Sequence, residues 1–358
     1  MLAQQERVQS LLSNHAHALN DGSGGANVGH SLGLLGEVGW LGYGVPSGLG
    51  GQEGSIAEAV EAIALVSEVC LTSGFSFWCQ RAVIGYLAHS DNAWLKYHIL
   101  PLLLRGEMSG ATGLSNAMKH LAGLEKLRIE GRIHGDSVTV NGFLPWVSNL
   151  KPYQFLLVVA AETRQGDSLV VAVPADTHGV NRGRDLKLIG LQGAWTSTIN
   201  LDNVQLSSDW IISHNAQQFL ATIRPQFLLL QCGLALGITR KSLLEVSYCL
   251  QQTKKSLSHR YRQKYEQLLA LEETLRNLST WEYHDLAQVC RLFQLRIDLT
   301  RLAVESVSLE LEAQGGSAYI RSSSTARRLQ EVAFLPVLTP SLVQLEQELH
   351  RHNLTAIG

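Results

Sequence analysis

Between residues 127 and 206 the chain abandons helical spacing. Short aliphatic and β-branched runs take over: Leu127-Arg-Ile-Glu130, Ser137-Val-Thr-Val140, Phe155-Leu-Leu-Val-Val159, Leu169-Val-Val-Ala-Val173 and Ile199-Asn-Leu201. Turn clusters divide them, including His134-Gly-Asp136 and Arg164-Gln-Gly-Asp167. This segment predicts a small all-β domain, and helical patterns flank it on both sides. Glu58 to Leu71 carries apolar residues at helical intervals, and Asn92 to Leu100 is similar. The helical pattern returns near residue 217 and runs to Ala313; within it, His284 to Glu312 has neither Gly nor Pro. Ser341 to His350 predicts a further helix, with Pro340 at or near its first turn. The expected fold class is α+β. Three domains follow: an N-terminal helical domain at 1–105, a middle β-domain at 106–212 and a C-terminal helical domain at 213–358.

Composition narrows the function classes. Hydrophobic residues make up 45% of the 358 and charged residues 17%, which predicts a large core and a buried oligomer interface. A net charge of −2 gives no electrostatic case for nucleic acid or an anionic membrane. Polar residues interrupt the apolar runs before a membrane span is reached. Met1-Leu-Ala-Gln-Gln-Glu-Arg7 has no basic segment leading into an apolar one, so no secretory signal is expected. The five cysteines, Cys70, Cys79, Cys232, Cys249 and Cys290, have no paired spacing and read as reduced thiols of a cytoplasmic protein.

The richest segment for chemistry is Asn141-Gly-Phe-Leu-Pro-Trp146-Val-Ser148-Asn149-Leu150. It follows a strand-like run, and on a strand Trp146 and Ser148 point the same way. An aromatic face beside a hydroxyl suits a flat redox heterocycle; it also suits a Trp plug in a β-domain. Gly42-Tyr-Gly-Val-Pro46-Ser-Gly48-Leu-Gly50-Gly51 must be a loop, but no buried strand leads into it, so it reads as a turn and not as a phosphate cradle. His15 with His17 and His350 with His352 lie on polar segments, where solvated helix faces are expected and no metal site. The run from Lys254 to Lys264 is the one basic cluster, either a solvated helix end or an anion site. Gly315-Gly316 follows a long helix, either as its C-cap or as a place where a ligand approaches the backbone.

Taken in order, these pieces resemble the acyl-CoA dehydrogenase superfamily. Val45-Pro46-Ser-Gly48-Leu-Gly50-Gly51 is similar to the family's Val-Pro-x-x-x-Gly-Gly loop, and Leu100-Pro101 through Gly106-Glu107 to its passage into the middle domain. Asn141-Gly142 with Trp146-Val-Ser148-Asn149 resembles its flavin-stacking segment. Gly190-Leu-Gln-Gly193-Ala-Trp-Thr196 followed by Leu201-Asp202-Asn203-Val204 resembles the end of its β-domain, and Gly315-Gly316 with Tyr319 its Gly-Gly-x-x-Tyr loop. The resemblance implies a helical domain, a small β-domain and a C-terminal four-helix bundle, with FAD (or FMN) held between them. It implies Trp146 packed on the ring, Ser148 at the N5 edge, and Leu114 and Ser115 at the pyrimidine edge. Gly315 and Gly316 would meet the nucleotide half of a cofactor shared across a homodimer or homotetramer. A small-molecule substrate and an electron-transfer protein or flavin reductase are the implied partners.

The departures point elsewhere than to an ordinary member. Where the family reads Thr-Glu-Pro-x-x-Gly-Ser-Asp, this chain reads Ser115-Asn116-Ala-Met-Lys119-His120-Leu121-Ala122, without the Ser-Asp that helps to bind the CoA arm. The Arg-x-x-Phe-Gly that contacts a pyrophosphate would fall near Thr253-Lys-Lys-Ser-Leu257, where Lys254 and Lys255 offer only point charges. Oxidation of a thioester needs a carboxylate to take the α-proton. Phe334-Leu-Pro336-Val-Leu-Thr339-Pro340-Ser341 offers none, the alternative position is Phe227, and Glu346 and Glu348 suit a solvated helix. Three readings follow: a flavin-dependent dehydrogenase of this type, a two-component monooxygenase on the same scaffold, and a non-catalytic member; in the second, His120 either assists near the ring or is a surface residue beside Lys119.

Overall fold

A computed structural model describes residues 2–252, 254–283 and 285–355. Helices come first: α1 Leu2–Ser13, α2 Ala16–Asp21, α3 Gly29–Glu37, α4 Ile56–Val69, α5 Leu71–His89, α6 Ala93–His98 and α7 Leu100–Leu104. Ser55 starts α4 with a capping box, its backbone N–H donating to Glu58 Oε2 at 2.7 Å. Helix α5 is buried on almost every face and runs through the core, with Phe77, Trp78 and Tyr86 at most 2% exposed. Gln80 joins it to the β-part: Nε2 donates to the carbonyls of Leu103 and Met108 at 2.8 and 2.9 Å, and Oε1 accepts from Gly110 N–H at 2.6 Å.

The middle part is one eight-stranded sheet. Its strands are β1 Ser109–Thr112, β2 Ile129–His134, β3 Ser137–Val147, β4 Phe155–Thr163, β5 Ser168–Pro174, β6 Val180–Arg182, β7 Ser197–Ser207 and β8 Ile211–Ser213, and a short helix, α8 Ser115–Leu121, interrupts the series. The order is β6-β7-β3-β2-β4-β5-β8, with β1 added parallel to β4. Alternating residues such as Val138, Val140, Leu157, Val171 and Ile199 close one face. The β3–β7 register slips between Leu144 and Val147. Pro145 has no N–H to give the ladder, so the strand bulges there and swings Trp146 out of the pleat.

The C-terminal helices are α9 Ala216–Gln252, α10 Ser258–Leu278, α11 Leu286–Gln314, α12 Ser324–Val332 and α13 Leu342–Thr355. The helix expected from His284 begins at Leu286, with Asp285 as its cap; His284 itself lies outside the described residues. The helix expected to hold Pro340 near its first turn begins two residues later, at Leu342. By length and hydropathy Ala216–Leu250 would pass for a membrane helix, but its most apolar stretch is 83% buried inside the protein. It crosses α4 at very close range. A Cβ on Gly237 would lie 2.1 Å from the Ala64 carbonyl oxygen, and one on Gly233 2.6 Å from that of Val60, so only glycine permits the crossing.

Candidate functional site

A cleft of about 630 Å³ opens where the helices meet the sheet. Its sheet wall is the bulged end of β3, residues 144–148. Trp146 lies on that wall and is 65% exposed, which is unusual for the largest apolar side chain. Beside it, Ser148 Oγ and Thr196 Oγ1 are 2.8 Å apart. Two hydroxyls carry two donor hydrogens and the pair consumes one, so one remains for a ligand.

The opposite wall is aromatic. Phe75 and Trp78 stack at 5.7 Å, and the edge of Phe334 meets Phe75 at 4.8 Å. Trp78 is held from behind, since its Nε1 donates to the Phe227 carbonyl at 3.3 Å and its ring meets Phe227 at 5.0 Å. Val337 and Leu338 extend this surface, and Cys79 completes it with a thiol that burial pushes far above its ordinary value. The charged groups sit at Lys119, Glu125, Arg128 and Lys187. Glu125 is the one carboxylate among the described lining residues. Lys119 Nζ is 2.8 Å from it, Asn116 Nδ2 donates at 3.1 Å and Arg128 Nη2 at 3.4 Å. These partners, Lys119 foremost, hold its carboxyl below the usual carboxylate range.

Three of the sequence candidates, Ser115, Trp146 and Ser148, line this cleft. Leu114 is fully buried behind it, leaving its neighbours Gly113 and Ser115 on the surface. Gly315 and Gly316 stand outside it at the end of α11, and a Cβ on either would meet nothing within 4 Å. His120 turns away, its Nδ1 3.1 Å from the Glu125 carbonyl oxygen. The basic run also faces elsewhere. Arg260 and Lys264 pair with Glu312 and Glu305 of α11, Lys254 and Lys255 are exposed, and Thr253 lies outside the described residues. Glu348, expected on a solvated face, is 3% exposed and pairs with Arg224 at 2.6 Å. Among the described residues, no three His, Cys, Asp or Glu side chains gather as metal ligands. Sequence reasoning missed Phe75, Trp78, Phe334 and Gln330. The first two have ordinary helix-core spacing, and nothing local marks them as lining.

An aromatic face and a spare hydroxyl in a cleft with a second aromatic wall fit an isoalloxazine ring, and a helical–β–helical scaffold of this form defines a class of flavin-dependent oxidoreductases. The comparisons agree with that class. Residues 8–107 match the family described as acyl-CoA dehydrogenase, N-terminal domain. The probable acyl-CoA dehydrogenase YngJ of Bacillus subtilis (strain 168) is 21% identical over 330 residues, 85% of this chain and 84% of its own. FkbI, for biosynthesis of the methoxymalonyl extender unit of Fk520, superposes with a TM-score of 0.85 at 18% identity, covering 98% of this chain and 99% of its own. Dibenzothiophene monooxygenase TdsC from Paenibacillus sp. A11-2 gives 0.83 at 18% identity, covering 99% and 97%. The chain thus carries an acyl-CoA dehydrogenase N-terminal domain at residues 8–107, has the acyl-CoA dehydrogenase fold over its length, and is an enzyme of the flavin-oxidoreductase kind.

Proposed function

We propose that this enzyme oxygenates a small, largely apolar substrate as the oxygenase component of a two-component flavin monooxygenase. The carrying observation is the state of Glu125. It is the one carboxylate on the described cleft surface, and it is already committed to Lys119, Asn116 and Arg128. A carboxylate held ionised by three donors is a weak base for a carbon acid. Bound FAD, or FMN in its place, would supply the two-electron and oxygen chemistry. The chain's own residues would do the rest: Trp146 stacks on the ring, the spare hydroxyl of the Ser148–Thr196 pair binds its N5 edge, and Phe75, Trp78 and Phe334 exclude water. Reduced flavin would come from a partner reductase. A homodimer or homotetramer is the proposed assembly, with Gly315 and Gly316 at the nucleotide half of a shared cofactor.

A second reading, dehydrogenation of an acyl thioester with an electron-transfer protein as acceptor, is favoured by the N-terminal domain match and by YngJ. One set of experiments separates the two. Flavin-loaded protein should keep its oxidised absorbance when mixed anaerobically with butyryl-CoA. With reduced flavin, labelled O2 and indole as an apolar probe, it should place label in the product. Bleaching by butyryl-CoA together with unlabelled product would sink the monooxygenase reading. Glu125→Gln should change turnover by less than about threefold, whereas loss of a working general base costs roughly 10²–10⁴-fold.

A further inference from the structure

We propose that Gln330 is a cofactor-binding residue whose Nε2 donates a hydrogen bond to a carbonyl oxygen of the flavin ring, with Asn20 as the positioning residue that sets the polarity of its amide; this rests on the flavin reading above. The inference follows from hydrogen-bond polarity. The buried backbone N–H of Leu191 can only donate, and it points at Asn20 Oδ1, 2.9 Å away. The oxygen of Asn20 is thereby fixed toward Leu191, and its Nδ2 must face the other way. There it donates to Gln330 Oε1 at 2.7 Å. The Gln330 oxygen is consumed in its turn, which leaves Nε2 as the end of the amide free for the cleft that Gln330 lines. Among the described residues this Nε2 has no hydrogen-bond partner. The relay starts at a group that cannot reverse, so no amide flip along it is neutral.

The relay is also rigid. Asn20 is 3% exposed and joins α2 to both the 186–196 loop and α12. Leu191 has a left-handed φ of 58°. Gly190 has no room for a side chain: a Cβ there would lie 2.7 Å from Asn20 Oδ1 and 3.1 Å from the Gln330 carbonyl oxygen. Gln192 braces the loop from within, accepting from Leu188 N–H at 2.9 Å and donating to the Leu186 carbonyl at 2.7 Å. The same loop delivers Thr196 to Ser148. The donor of Gln330 and the spare hydroxyl thus hang on one scaffold and line the same cleft as Trp146. The isoalloxazine ring carries two carbonyl oxygens, both acceptors only, and a fixed N–H selects for one of them.

The test uses the full-length apoprotein titrated with FAD and with FMN. Q330E keeps an acceptor for Asn20 and offers the ring an oxygen instead of a donor. Q330L removes the amide. N20D still accepts from Leu191 but obliges Gln330 to turn its NH2 toward position 20, so the ring meets Oε1. Each variant should bind the flavin about tenfold more weakly, because a buried acceptor is left unmet. In the Q330L background, N20D should cost less than about twofold further, since it acts through Gln330 alone; a structural role for Asn20 would cost the same in both backgrounds. Wild-type affinity in Q330L and Q330E overturns the proposal, and those two variants decide it if N20D does not fold. An undiminished N20D effect in the Q330L background overturns the relay. Failure of the wild-type protein to take up either flavin would instead sink the flavin reading, and this inference with it.

Discussion

Trp146→Ala is expected to weaken FAD binding by about tenfold or more. Stacked aromatic faces contribute roughly 0.5–1.5 kcal/mol beyond the apolar area they cover, and each 1.4 kcal/mol is tenfold. The indole is available because of a local backbone event. Pro145 cannot donate to the ladder, β3 slips its register against β7, and the side chain leaves the pleat to stand 65% exposed on the cleft wall. Since the ring contributes little to the core, the ligand-free variant should unfold within about 0.5 kcal/mol of the parent. Trp146→Phe keeps a flat face and should lose no more than about threefold. The readout is flavin fluorescence on titration, with a denaturant curve for the empty protein. Unchanged affinity in the alanine variant would mean that the ring lies elsewhere in the cleft.

The change of period near residue 127 made the helical–β–helical plan legible, because a run such as Phe155–Val159 buries both of its faces only inside a sheet. Strand β1 was not legible in the same way. Ser109-Gly-Ala-Thr112 has no strand-like composition and is extended because Gln80 and parallel pairing with β4 hold it there. The lack of a carboxylate at 334–341 was readable, and that segment gives the cleft Phe334, Val337, Leu338 and Thr339 instead. Glu348 was misjudged. Its position suggested a solvated helix face, yet Arg224 of α9, with Gln344 beside it, makes its burial tolerable. His120 could be read from its segment either as a neighbour of the ring or as a surface residue beside Lys119, and a bond to the Glu125 carbonyl holds it outside the cleft lining. Gln330 lay beyond reading, since its meaning depends on a contact with Asn20, 310 residues earlier. Local patterns report periods and turns. They do not report which polar side chain on a mixed helix meets a distant partner.

Glu310→Ala is expected to cost about 3–5 kcal/mol of stability, the range for leaving one member of a buried pair uncompensated. Glu310 is fully buried on α11 and Arg328 of α12 is 2% exposed. Arg328 Nε donates to Glu310 Oε2 at 2.9 Å and Nη2 donates to Oε1, which also accepts from Thr325 Oγ1 at 2.5 Å. Removing the carboxylate strands a buried guanidinium, while the Thr325 hydroxyl keeps Gln314 Oε1 as an acceptor at 3.0 Å. The same change has a functional arm, because these bonds seat the helix that carries Gln330. Flavin affinity should therefore fall along with the denaturation midpoint, although Glu310 does not line the cleft. The paired replacement Glu310→Leu with Arg328→Met removes both charges and fills the space, and should recover most of the lost stability. A loss below about 1 kcal/mol in the alanine variant would show that the pair is solvated and that other contacts seat α12. If the double variant were no more stable than Glu310→Ala, the cost would lie in packing and not in the abandoned charge.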